Sequence, residues 1–299
     1  MKNHAVPKDR GFNILATSTM SIVTILTLTP FVLLFMSSVA SEKSLAFYGY
    51  QFWPSEFSLD AYLYISRNAE AIFRSYGITL LITACGTILG VLLTALLAFP
   101  LSQKDFSHRG VILFAIFFTM LFNGGMVPNY IMWTRLFHIK NTLAALLFPR
   151  LLLNAFNVIL MKNYFQHSIP DGILEAAEID GAGVGRTFTR IVLPLGKPIF
   201  ATIGMFYILS YWNDFTNGLY YVTDSRYFSL QVLLNNILSN IQFLVSNSKL
   251  TGISAGISSI PSVSIRMAIA SLGIVPLLVL FPFFQRYFVQ GITMGAVKG

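Results

Sequence analysis

From Tyr76 to Leu101 the chain runs for 26 residues without a single Asp, Glu, Lys or Arg. A helix crossing the hydrocarbon core of a bilayer needs about 20 apolar residues. A run this long and this uniformly apolar belongs either inside a very large core or inside a membrane. Composition removes the first option. Of 299 residues, 55% are hydrophobic and only 11% are charged, against about 25% charged in an ordinary soluble domain. So few charges could not solvate the surface of a globule of this size. The single Cys85 excludes a disulfide scaffold, and 27 Phe with 13 Tyr exclude a disordered chain. An all-α integral membrane protein remains, forming one transmembrane domain over residues 1–299 with no room for a large soluble catalytic domain.

Six stretches predict six transmembrane helices: about 12–38 with Pro30, 76–101 with Cys85, 110–130 interrupted by Asn123, Gly124, Gly125 and Pro128, 142–162 with Arg150, 198–219, and 266–288. Helix is preferred to strand because the runs do not alternate. The basic start with Lys2, Lys8 and Arg10 resembles a leader, but the apolar stretch that follows is too long and no small-residue cleavage site follows it. An uncleaved first helix is expected. With a cytoplasmic N-terminus, eleven of the 20 Lys and Arg fall inside and seven outside, while Arg150 and Arg266 lie in or at the edge of spans. Basic excess marks the cytoplasmic side, so both termini are expected there. The net charge of +8 is thus read as topology-setting, and no nucleic-acid partner is expected. Outside, the aromatics between Phe47 and Tyr64 suit a membrane-interface belt, with sugar stacking as the lesser reading. Around 228–246 a rough helical period interleaved with Gln and Asn predicts an amphipathic surface helix.

The cytoplasmic segment 163–197 is the informative one. Four of the chain's twelve acids lie between Asp171 and Asp180. Ser168 with Asp171 predicts a capping box that opens a helix. Gly181 and Gly183 predict its end and a tight turn. A second short helix follows from Val184 to about Val192, limited by Pro194 and Pro198. The pattern is a helix-turn-helix whose acidic and small residues suit docking into a cleft.

Glu175-Ala176-Ala177, then Gly181, then Ile191 and Leu193-Pro194, resemble the EAA loop of ABC-importer permeases at matching spacing. Asp180-Gly181-Ala182 and the ending Leu193-Pro194-Leu195 resemble the sugar-importer branch. So do Tyr211-Trp212-Asn213-Asp214-Phe215 and the tail from Gln285 to Gly291, closing at Gly295–Gly299. Asn123-Gly124-Gly125-Met126-Val127-Pro128 is similar to the complex-oligosaccharide subgroup, and the six-span layout to the maltose-type second permease. The resemblance implies a subunit that docks its loop into a nucleotide-binding partner through Glu175, Ala176, Ala177, Asp180, Gly181, Ala182, Leu193 and Pro194. It implies a second homologous permease, two ATP-binding cassette subunits and an extracellular or periplasmic solute-binding protein. ATP and Mg would sit on the partners. The place would be a bacterial cytoplasmic membrane. ATP-driven closure of the cassettes would alternate the permeases between inward-open and outward-open states.

The residues themselves agree that chemistry lies elsewhere. Gly181-Ala182-Gly183-Val184-Gly185-Arg186-Thr187 lacks the spacing and the Lys of a phosphate loop and follows a helix rather than a strand. His4, His108, His138 and His167 are scattered without metal-ligand spacing. No cofactor, metal or catalytic residue is expected in this chain. For the translocation path, polar groups inside spans usually face a cavity or a partner helix. Arg150, Asn154 and Asn157 share one face of the fourth helix, and Tyr207, Tyr211 and Asp214 share one face of the fifth, with Asn213 beside them. Aromatic faces with amides and a carboxylate suit a sugar, and Arg150 suits an acidic one. Interhelical hydrogen bonding explains the same residues without a ligand. An ABC permease for amino acids or peptides, or a secondary transporter, remain as other readings at this point.

Overall fold

The computed structural model describes residues 10–67, 69–149, 151–251 and 262–296. Among them the chain is helical, with no strand beyond one isolated bridge between Ala40 and Phe57. The helices in chain order are α1 (Arg10–Ser38), α2 (Glu42–Tyr48), α3 (Asp60–Ser66), α4 (Ala69–Ser102), α5 (Arg109–Leu121), α6 (Met126–Ile131), α7 (Ala144–Leu147), α8 (Ala155–Ser168), α9 (Asp171–Ile179), α10 (Val184–Thr187), α11 (Leu193–Leu195), α12 (Lys197–Trp212), α13 (Thr216–Tyr221), α14 (Leu230–Thr251) and α15 (Ser262–Ala296). Three apolar helices are long enough to cross a membrane: Gly11–Ser38, Ala69–Ser102 and Val263–Phe283. Two bent pairs raise the number to five if each is one span: Arg109–Leu121 with Met126–Leu136 at 113°, and Val184–Leu195 with Lys197–Trp212 at 81°.

The described residues fall into two compact units. The first takes the chain up to Ala69 together with Ile237–Val275. Its segment 39–58 is closed by backbone bonds from Ser41 N–H to Glu56 O and Ser58 N–H to Val39 O, both 2.9 Å. Ser41 caps α2 by accepting from Ser44 N–H at 3.1 Å. Glu42 accepts from Val263 N–H at 3.0 Å and Ser264 N–H at 3.1 Å. A carboxylate there satisfies orphan amides of α15 and meets the positive end of its dipole. The aromatics of this segment stand exposed, Phe47 at 84% and Trp53 at 73%.

The second unit takes Glu70–Asn236 and Pro276–Gly299. Its core gathers Ala95, Ala98 and Leu101 of α4, Val158 and Met161 of α8, and Ile199, Ile203, Tyr207 and Tyr211 of α12. Two sequence expectations need correction here. The fourth stretch is not a continuous helix over 142–162: α7 stops at Leu147, and α8 begins only after Asn154, whose backbone is extended at φ −111°, ψ 123°. Pro149 supplies no N–H and crowds the carbonyl four residues back, which weakens helix at this point. Arg150, Asn154 and Asn157 therefore do not inherit a common face from helical spacing, and Arg150 lies outside the described residues. The fifth stretch likewise ends at Trp212 and resumes as α13 at Thr216, with Asp214 Oδ1 accepting from Thr216 N–H at 3.1 Å and Asn217 N–H at 3.3 Å.

The capping expectation at Ser168 is also corrected. Ser168 closes α8, and Pro170 occupies the N-cap of α9. Proline has no side-chain acceptor and no amide of its own, so neither bond of a capping box can form at Pro170. Instead the Asp171 side chain accepts from Lys104 Nζ at 2.8 Å. That hydrogen bond, with the charge of Asp171 behind it, holds the Lys104 pKa above its ordinary value, and the Asp105 and Glu175 charges add to it.

Candidate functional site

Helix α9 ends in a bonded turn. Gly181 N–H donates to Glu178 O at 3.0 Å and Ala182 N–H to Ala177 O at 2.9 Å. These are the two bonds of a Schellman motif, which needs its C′ residue in the left-handed region. Gly181 sits there at φ +72°. An L side chain at that φ costs about 1–2 kcal/mol, which is why glycine stands there. The turn orients the helix rather than merely ending it. Ala177 is buried at 8%, while Glu175, Ala176 and Asp180 face outward and Ile179 is 86% exposed. An anchored small residue thus leaves an acid and an apolar tip free beside it.

Beyond the turn, α10 passes into one π-helical turn over Phe188–Val192, with Leu193 N–H bonded to Phe188 O. Pro194 removes the amide that would continue ordinary helical bonding. Leu193 and Pro194 lie exposed, and the chain bends at Gly196, where a Cβ would come within 2.8 Å of Val192 O and of the Phe200 ring. Gly196 is therefore the residue that permits the 81° bend into α12. Sequence reading missed it.

The translocation candidates meet at the break in the fourth stretch. Breaking a helix frees backbone groups, and in a membrane each must find a partner inside the protein. Three side chains from α12 and α13 supply them. Tyr211 Oη donates to Leu147 O at 2.9 Å. Asn217 Nδ2 donates to Pro149 O at 2.9 Å. Tyr207 Oη accepts from Asn154 N–H at 3.3 Å and shares a hydrogen bond with Thr94 Oγ1 at 2.8 Å. Tyr207 and Tyr211 are 1% and 3% exposed, with ring centroids 6.4 Å apart. Asn154 Oδ1 caps α8 through Asn157 N–H at 3.3 Å, and Asn157 is buried. Asn154 and Asn213 are exposed and Asp214 is half-buried. The structure thus joins Asn154, Asn157, Tyr207 and Tyr211 through hydrogen bonds and ring contact, with the two tyrosines bracing the break. Asn213 bonds only its own helix, Nδ2 to Leu209 O at 2.9 Å.

Residues the sequence reading passed over complete the brace. Gly86 and Gly90 of α4 lie beneath the rings of Tyr211 and Tyr207, where any Cβ would overlap them. With Thr94 they form a small residue at every fourth position, the pattern that lets membrane helices approach closely. That spacing was available as a signal. Asn217, 2% exposed, was not foreseeable without the break it serves. Replacing Asn217 by Leu leaves the Pro149 carbonyl unpaired in a buried site, at a cost of about 1–3 kcal/mol. A thermal unfolding scan of the purified complex will show a lowered Tm; an unchanged Tm removes Asn217 from the brace.

Comparison with known proteins adds a lineage to this geometry. The model of the family described as binding-protein-dependent transport system inner membrane component matches residues 86–294. The chain is 34% identical to the polygalacturonan/rhamnogalacturonan transport system permease protein YtcP of Bacillus subtilis, over 98% of this chain and all of that one. It is 28% identical to the arabinooligosaccharides transport system permease protein AraQ of Halalkalibacterium halodurans, over 83% of this chain and 82% of the other. It also resembles a chain in the crystal structure of a bacterial ABC transporter involved in the import of the acidic polysaccharide alginate. There the TM-score is 0.77 with 29% identity, covering 94% of this chain and 98% of that one.

Proposed function

The chain belongs to the binding-protein-dependent transport system inner membrane component family, and from that membership we propose how it works as the permease subunit of a carbohydrate-importing ABC transporter. The cargo is an oligosaccharide, and an acidic one: one relative is named for polygalacturonan and rhamnogalacturonan transport, and the solved neighbour for import of the acidic polysaccharide alginate. This subunit is not the ATPase. Energy arrives through partner cassettes that bind ATP and Mg, beside a second permease and an extracellular solute-binding protein.

The observation that carries the reading is the α9 turn. Its Schellman bonds hold Glu175, Ala176 and Asp180 outward on a helix tied at its start to Lys104. Glu175 pairs with a basic residue of the cassette; Ala176 and Ala177 allow close approach; Gly181 and Ala182 set the turn; Leu193 and Pro194 end the second arm. Six crossings follow: α1, α4, the bent pair α5–α6, the broken segment α7–α8, the segment α12–α13, and α15, with both termini in the cytoplasm of a bacterial cell. The exposed amides of Asn154 and Asn213, with Asp214 and Arg150, line the sugar path. Asn157, Tyr207 and Tyr211 form the wall behind them.

The complex co-purified with its cassettes in membrane discs tests this. Its ATPase should rise severalfold with binding protein plus one class of oligosaccharide, and stay at the basal rate with amino acids or peptides. Indifference to every sugar would end the carbohydrate reading; absence of any associated ATPase would end the ABC reading.

A further inference from the structure

Helices α5 and α8 lie side by side, start against end. Arg109, the first residue of α5, donates from its guanidinium to Gln166 Oε1, near the end of α8, at 3.3 Å. Beside that contact a groove of about 420 Å³ opens between the two helices. Ile112, Ile116 and Thr119 line it from α5, and Ala155 and Val158 from α8. Spacings of three and four put Arg109 on the same face of α5 as its lining residues, and Lys162 on the same face of α8 as its own. From Arg109 to Thr119 the helix advances about 15 Å, at 1.5 Å per residue. The lining side chains are apolar apart from Thr119, whose hydroxyl is bonded to Ile116 O at 2.7 Å. Two cations stand at the mouth. Arg109 and Lys162 are half-buried, and their charges act on each other. Their hydrogen-bond partners are neutral amides: Gln166 for Arg109, and Asn163 Oδ1 at 3.2 Å for Lys162. Among the described residues neither pairs with a carboxylate. The start of α5 carries no side-chain cap, so the positive end of its dipole adds to the same spot. Like charges held together are unfavourable until an anion sits between them.

We propose that this cleft binds an anionic glycerophospholipid, its phosphate held by Arg109 and Lys162 and one acyl chain laid in the groove. Charge complementarity selects the occupant. The guanidinium fork matches phosphate oxygens, and Lys162 adds a point charge beside it. A headgroup with its own ammonium brings a third cation to the mouth, so a net-negative lipid is favoured over a zwitterionic one. A soluble anion would use the cations and leave the apolar groove empty. A helix of the second permease would fill the groove but would need an acid of its own at the mouth. The proposal rests on α5 and α8 standing in the membrane as in the reading above, with Arg109 on the cytoplasmic side, and it is independent of the cargo.

The test uses the intact complex in phosphatidylcholine discs doped with phosphatidylglycerol that carries a photoreactive diazirine in one acyl chain. A phosphatidylcholine probe with the same diazirine is the comparison, and peptide mapping locates the label. Each cation near an anionic headgroup is worth about fivefold in affinity. Residues 111–119 and 153–158 of the wild type should therefore reach half-maximal labelling at an about twentyfold lower mole fraction of the phosphatidylglycerol probe. Arg109→Gln and Lys162→Gln should each raise that fraction about fivefold, and the double variant should label equally with both probes. Ala115→Trp, which fills the groove and leaves both cations, should cut labelling there by either probe. If the double variant fails to assemble, the single variants and Ala115→Trp carry the test. Equal labelling of the wild type by both probes marks unselective boundary lipid and overturns the proposal, as does an undiminished preference in a variant. Label absent from both segments, with the second permease cross-linked in their place, overturns it too. Labelling abolished by excess inorganic phosphate reassigns the cations to a soluble anion. Any of these results in a complex whose ATPase still answers to sugar ends the lipid site alone. An ATPase that answers to no carbohydrate ends the importer reading and leaves the lipid result standing.

Discussion

Gly86→Leu should abolish accumulation of the folded permease. At Gly86 any Cβ overlaps the Tyr211 ring, and that ring cannot step aside freely because its hydroxyl is bonded to Leu147 O at 2.9 Å. Overpacking alone costs about 1–3 kcal/mol. Displacing the ring also orphans the Leu147 carbonyl at the helix break, adding about 1–3 kcal/mol. Together these come to about 2–6 kcal/mol, enough to exhaust a margin at the low end of the about 5–15 kcal/mol that a typical protein holds. Membrane yield by immunoblot should fall about tenfold or more, and residual complex should melt well below wild type. Cys85→Leu provides the control, since Cys85 is exposed one residue away. Gly86→Leu combined with Tyr211→Ala should recover part of the loss, because the new side chain then fills the space the ring vacates; the double-mutant cycle reads the coupling. Wild-type yield and Tm for Gly86→Leu would mean that α4 and α12 do not pack through these residues.

The same region shows where sequence reading reaches its limit. The apolar runs were legible because hydrocarbon selects composition directly, so α1, α4 and α15 fall on the stretches expected. The turn at Gly181 was legible because left-handed backbone favours one residue type. The fourth stretch misled, because hydropathy registers what a segment is dissolved in and not whether its backbone is continuous. Pro149 was the visible warning, yet Pro30 and Pro100 sit within unbroken helices, so a proline alone does not decide. What decides is whether other elements satisfy the freed groups. Here Tyr207, Tyr211 and Asn217 do so from more than 50 residues away. A tyrosine facing a sugar and a tyrosine bracing a carbonyl have the same spacing along a helix, so periodicity could place Tyr207 and Tyr211 on one face but could not name their partner.

The second large effect is expected at the turn itself, where Gly181→Val should uncouple transport from ATP. Valine at φ +72° meets both the left-handed penalty of about 1–2 kcal/mol and the stiffness of a β-branched side chain. The turn relieves this by abandoning the Ala182-to-Ala177 and Gly181-to-Glu178 bonds, which re-aims Glu175 relative to the chain beyond. A penalty of that size lowers occupancy of the native turn about tenfold, so sugar-stimulated ATPase and uptake should fall by about that factor. The loss is local: a Cβ at Gly181 meets nothing within 4 Å, so yield and Tm should stay near wild type, unlike Gly86→Leu. Gly181→Asn should be milder, because Asn enters the left-handed region more readily than other side chains. Glu175→Gln should give a loss of coupling with the turn intact, since it removes the charge without altering the backbone. The graded order Val below Asn below Gly in stimulated rate, at constant assembly, ties the effect to backbone geometry. A full rate in Gly181→Val, or a fall in step with lost protein, would show that the turn does not transmit the stroke.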